Sequence, residues 1–203
     1  MIALRIALIV IIQLAFLAQM IGERAAILRE GALILLKTEP IDPRSLFRGD
    51  YVVLNYEINS LDIAILEGDD DFERQQDIYV AVEQSGDFWR ATGAYYQSPK
   101  IVGDQVIIKG RVKSVRATRG ACEEDDPFCP ADERPVKSMI VRVDYGIDSY
   151  FVPEGDGKAI ETAIGNQSFA GRVVVQVAVD ENGTSAIKAL ILDGETLYEE
   201  NIF

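Results

Sequence analysis

The sequence predicts a mainly β protein: an N-terminal transmembrane helix followed by an antiparallel β-sandwich or partly open barrel domain with one short helix. Three observations carry this. Residues 2–21 (IALRIALIVIIQLAFLAQMI) are almost wholly apolar, interrupted only by Arg5, Gln13 and Gln19. Short β-rich runs broken by turn residues follow from residue 32 onward. No strand–helix–strand alternation occurs, which argues against a Rossmann or TIM fold.

The apolar run has the length of a membrane span. Twenty helical residues rise roughly 30 Å, the thickness of a hydrocarbon core. Arg5 lies near one end, where it can snorkel to the interface. A cleaved signal peptide is the first alternative, but Phe16-Leu17-Ala18 puts a large residue where a cut site needs a small one. A buried core helix is the second, and it would carry polar positions every third or fourth residue. The helix is expected to run on through residues 23–30 and stop at Gly31. The expected division is therefore residues 1–30 as anchor and 31–203 as a β-rich extracytoplasmic domain.

The lipid contact is assigned to residues 2–21, in the inner or plasma membrane. Arg5 on one side faces Arg24 and Arg29 on the other, so the positive-inside count leaves the orientation open. The cysteines favour a head outside. Cys122 and Cys129 have six residues between them in a polar loop, a spacing that can close a small disulfide in an oxidising compartment.

Along the head, residues 32–37 (ALILLK) open the domain and a proline-punctuated link follows over 38–44. Residues 51–58 (YVVLNYEI) read as one strand. Residues 78–84 and 88–96 flank Ser85-Gly86-Asp87 as a hairpin. Residues 105–115 and 138–145 read as a second pair, with 149–152 extending the latter. Residues 172–179 and 184–192 flank Asn182-Gly183, the strongest hairpin signal. Val173, Val175, Val177 and Val179 fall on one face. Residues 158–164 are the expected helix, and 61–66 are ambiguous.

Composition excludes several function classes. The net charge of −13 opposes non-specific nucleic-acid binding. The absence of histidine removes Ser-His-Asp and Cys-His catalysis and His-ligated zinc. From Glu23 on, 19 Lys and Arg stand against 33 Asp and Glu, so no polybasic patch holds the head on anionic lipid. Glu123, Glu124, Asp125 and Asp126, like Asp69-Asp70-Asp71, lack the spacing of an EF-hand loop and read as solvated loops. No metal site and no cofactor are expected.

Residues 49–56, Gly-Asp-Tyr-Val-Val-Leu-Asn-Tyr, match G-D-Y-x-x-L-x-Y at every fixed position. With the upstream Asp42-Pro43-Arg44-Ser45-Leu46-Phe47-Arg48 and the later Tyr150-Phe151-Val152-Pro153-Glu154-Gly155, the chain resembles the bacterial GDYXXLXY protein family. The resemblance implies a membrane-associated protein, often encoded beside multi-spanning membrane proteins. It brings no catalytic residues to carry over. The expected function is a non-enzymatic binding or accessory domain that partners a multi-spanning membrane protein.

Physically, the motif reads as architecture. A strand places Leu54 and Tyr56 in one core layer, with Tyr51 on the other face. Gly49 permits a tight turn, and Asp50 can bond turn amides or pair with Arg44 or Arg48, as can Asp42. The alternative is a ligand pocket built from Arg44, Arg48, Asp50 and Tyr51, with Glu154 as a second carboxylate candidate.

Two other function classes stay open. One is an envelope enzyme using carboxylates or a Ser/Lys pair; the other is a small-molecule or glycan-binding domain. Residues 45–50 are similar to the Thr-Leu-x-x-Gly-Asp element of signal-peptidase-like proteases. The nucleophile position of that motif is Ile41 here, which has no attacking atom. Ser45 with Lys100, Lys109 or Lys113 is the remaining combination.

Overall fold

The computed structural model describes residues 2–39, 51–120, 130, 136–151 and 173–200. A 29-residue helix, α1 (Ile2–Glu30), leads into β1 (Ala32–Lys37). Then come β2 (Tyr51–Val53), β3 (Ser60–Asp62), β4 (Glu67–Gly68), β5 (Asp77–Ser85) and β6 (Phe88–Tyr95). The long β7 (Val106–Arg119) precedes β8 (Val136–Asp144) and β9 (Ser149–Phe151), and β10 (Val173–Val179), β11 (Ser185–Leu192) and β12 (Glu195–Glu199) complete the set.

The strands form a sandwich. One sheet is antiparallel, in the order β1-β10-β11-β12. The other has six strands in the order β3-β8-β7-β5-β6-β4, antiparallel except for the parallel β4–β6 contact. A short ladder pairs β2 with β9. Ile34, Leu36, Val175 and Val177 from the first sheet join Ile78, Val80, Ile108 and Val141 from the second in one buried cluster. The period of two makes this possible, because Val173, Val175, Val177 and Val179 are all buried.

Three local expectations are revised and one ambiguity is resolved. The run 51–58 leaves its ladder after Val53, and Glu57–Asn59 form a 3-10 turn. The Leu54 N–H still bonds Asp148 O in the same register, and the run turns where the Asn59 side chain takes the Tyr56 N–H. Residues 149–151 do not extend β8; the chain turns at Gly146 (φ 72°) and joins β2 in another ladder. Residues 61–66 divide between β3 and a 3-10 turn, Ile63–Ile65, capped by the Asp62 carboxylate. The 179–185 connection is longer than a two-residue Asn-Gly turn. The Asp180 N–H donates to Thr184 O, leaving a three-residue loop that ends in Gly183 at φ 85°. A tight two-residue turn at Asp193-Gly194 (φ 53° and 86°) launches β12, a strand absent from the sequence-based expectation. The helix expected over 158–164 lies outside the described residues.

Helix and head are joined without a spacer. Gly31 caps α1 by donating its N–H to Ile27 O at 2.9 Å. A Cβ on Gly31 would stand 2.5 Å from that oxygen and 2.9 Å from Val179 N, so only glycine lets the helix end meet β10 this closely. Leu28, 4% exposed, packs on Ala178 and Ala186, which cover the outer face of the β10–β11 pair.

Candidate functional site

The motif's second half forms a corner that ties the sandwich together. Leu54 and Tyr56 are both buried. The Tyr56 hydroxyl donates to Ile147 O at 2.7 Å, and the Tyr145 hydroxyl donates to Ile58 O at 2.8 Å. Asn59 accepts the Tyr56 N–H through Oδ1 at 2.6 Å and donates through Nδ2 to Val143 O at 2.9 Å. On the other side Tyr56 bridges Thr38, whose hydroxyl donates to Val173 O at 2.8 Å. The Glu39 N–H donates to Asn55 O, and Asn55 Nδ2 donates to the Glu39 carboxylate. One segment thus links β1, β8, β9 and β10.

The chemistry of this corner is structural. Burial, with a smaller contribution from Asp148, pushes the Tyr56 phenol well above its ordinary pKa. Burial does the same to Tyr145. Both remain neutral donors at physiological pH and are committed to backbone oxygens. Neither is poised as an acid, base or nucleophile.

Tyr51 enters this region as the first residue of β2, in register with Phe151. Asp42, Arg44, Arg48, Gly49, Asp50 and Glu154 lie outside the described residues, as do Ser45, Cys122 and Cys129. The sequence reading did not single out Tyr145, Asn59 or Thr38. The one local signal was the Tyr145-Gly146 pair closing an apolar strand.

Two of the candidate lysine bases, Lys109 and Lys113, are held as cations. Lys109 Nζ lies 2.9 Å from Asp77 Oδ2 and over the Tyr79 ring. The bond to Asp77 holds the Lys109 pKa above its ordinary value, and bonds from Lys109 and Arg111 hold Asp77 below its own. Lys113 sits 2.8 Å from Asp148 and 3.0 Å from Asp144. Partial burial pulls its pKa down, but the two carboxylates outweigh that and raise it. A lysine base needs the opposite shift.

The triple-aspartate loop is pinned by Tyr96. Asp69 accepts the Tyr96 N–H at 2.7 Å, and the Tyr96 hydroxyl donates to Asp71 O at 2.7 Å. Phe72 is buried against the same ring, with centroids 4.9 Å apart. Among the described residues, no three acids or cysteines gather as a metal site.

A concavity lies where helix meets head. A groove of about 1220 Å³ runs between α1 (Glu23, Ala26, Glu30) and the loop carrying Lys100 and Ile101, with Val106 and Val179 on its floor. Arg24 fastens the helix side by donating to Ser185 O at 3.3 Å. Before this point the large apolar side chains of α1, from Leu4 to Ile21, are 45–76% exposed.

Comparison with known proteins gives one match. A family model described as GDYXXLXY protein aligns with residues 13–190. No curated protein and no solved structure matches the chain.

Proposed function

The chain belongs to the GDYXXLXY protein family, and from that premise we propose that it is a single-pass, membrane-anchored accessory subunit that binds rather than catalyses. Its head stands outside the cytoplasm, close to the bilayer, and its partner is a multi-spanning protein of the same membrane.

The observation that carries this reading is the two-part character of α1. Its apolar length is exposed on all sides, with no share of the span buried in the head. Its last turns continue unbroken into a docked segment sealed by Leu28 and Gly31. A soluble core helix would bury the apolar length instead. Such a helix fits lipid along its shaft and holds the head at a fixed height.

The helix also carries a face suited to a neighbour. Ala15, Ala18 and Gly22 follow at spacings of three and four, so they share one side, and all are exposed. Small residues in this arrangement allow two helices to approach closely in a bilayer. A binding role rather than a catalytic one is supported by the motif corner, whose described polar groups bond to backbone and neighbouring side chains.

Photo-crosslinking in native membranes tests the reading. A crosslinking residue at Ala18 is expected to capture one integral membrane protein, and the capture should vanish with Gly22→Leu. Capture of lipid alone at every helix position would contradict the accessory role.

A further inference from the structure

We propose that the loop over residues 99–103 is a second membrane contact, placing Ile101 and Val102 in the interfacial layer of the bilayer that α1 spans. This rests on the anchor reading above.

Ile101 and Val102 are 60% and 71% exposed, adjacent in sequence, and outside the buried core. Pro99 before them and Gly103 after them (φ 65°) shape the loop into a tip. Isolated exposed apolar residues need no explanation, but this pair has a specific neighbour. Ile101 lines the same groove as Glu23 and Ala26 of α1.

That neighbour sets the height of the loop. A hydrocarbon core is about 30 Å thick and the whole bilayer about 40–45 Å, which leaves roughly 5–8 Å of headgroup region per side. At about 1.5 Å per residue, Glu23 and Ala26 stand roughly 3–8 Å beyond Ile21. The groove they share with Ile101 therefore opens at headgroup level. There, apolar side chains gain by leaving water and the Lys100 ammonium meets phosphate oxygens. Lys100 is exposed and has no ion pair among the described residues.

The charge around the loop decides what drives the contact. Glu23 and Glu181 border the groove, and Asp104 follows the tip. These acids oppose attraction to anionic lipid, so insertion is apolar and independent of lipid charge. Two points of attachment, helix and loop, would fix the head's rotation about the helix axis as well as its height.

The test uses the full chain in phosphatidylcholine vesicles with brominated acyl chains. An environment-sensitive fluorescent amino acid replaces Val102, Leu14 or Ile65 in turn. Leu14 reports the anchor, and Ile65, 80% exposed and in the 3-10 turn after β3, reports an apolar surface away from the groove. Val102 should be quenched at least half as strongly as Leu14, unchanged by high salt, while Ile65 is not quenched. Quenching at Leu14 with none at Val102 overturns the loop contact and leaves the anchor standing. Equal quenching at Val102 and Ile65 means general adsorption and also overturns it. No quenching at Leu14 overturns the anchor itself, and the loop contact with it.

Discussion

Tyr56 and Tyr145 bond in reciprocal fashion: each phenol donates to the backbone oxygen two residues beyond the other, Tyr56 to Ile147 and Tyr145 to Ile58. The two rings therefore clasp segments separated by almost ninety residues. Replacing either tyrosine with phenylalanine leaves a buried carbonyl without its donor. Each of Tyr56→Phe and Tyr145→Phe is expected to lower stability by about 1–3 kcal/mol in urea unfolding. Wild-type stability in both variants would show that the bonds are incidental.

The same pair predicts alkaline sensitivity. Burial raises both folded-state pKa values above the ordinary 10.0. Below about pH 10 both phenols are protonated in the folded and unfolded chain, so their contribution is fully present. As pH rises past that point, the unfolded chain releases protons that the folded chain keeps, and stability falls. The slope is about 1.4 kcal/mol per pH unit for each tyrosine. Unfolding free energies between pH 9 and 11 should fall more steeply for wild type than for the doubly substituted Tyr56→Phe, Tyr145→Phe protein. Equal slopes would contradict the assignment.

Gly183 locks the β10–β11 hairpin onto the opposite sheet. Its carbonyl accepts the Lys109 N–H at 2.8 Å, and a Cβ there would stand 2.8 Å from the same nitrogen. Gly86, in the β5–β6 turn, also has a positive φ but meets nothing within 4 Å. Gly183→Ala should cost about 2–3 kcal/mol, from strained backbone plus the displaced contact, and Gly86→Ala nearer 1. Thermal melts of the two variants compare them directly; equal losses would mean the hairpin lock adds nothing.

Among the described residues of α1, Leu28 is the one large side chain that the head buries. Leu28→Ala is expected to cost about 2 kcal/mol, at the low end for such truncations because the cluster is small. It should also speed hydrogen exchange around Ala178 and Ala186. An unchanged melt and unchanged exchange would mean the helix end rests loosely on the sheet.

Much of this fold was legible in sequence because its signals are local. The alternating valines of β10 announced a sheet face, and Ser85-Gly86-Asp87 announced a turn. Residues 32–37 were assigned with the bounds observed. What escaped depends on distant partners. The run 51–58 has strand composition throughout, but the Asn59 side chain takes the Tyr56 N–H and the end of the run folds into a 3-10 turn, a bond that strand composition does not announce. Tyr145 reads as an ordinary strand-end aromatic until Ile58 is placed beside it. The Asp193-Gly194 turn carried a local signal that the reading passed over. At the candidate site, Leu54 and Tyr56 followed from period two. The groove beside Glu23 and Ile101 did not, since it arises only when helix, loop and hairpin meet.

The most direct measurement of the central claim is the intact mass of the protein recovered from native membranes after an alkaline carbonate wash. The account predicts that it stays in the membrane pellet with the α1 sequence still attached. Release into the supernatant, or a mature chain that begins beyond Ile21, would contradict it.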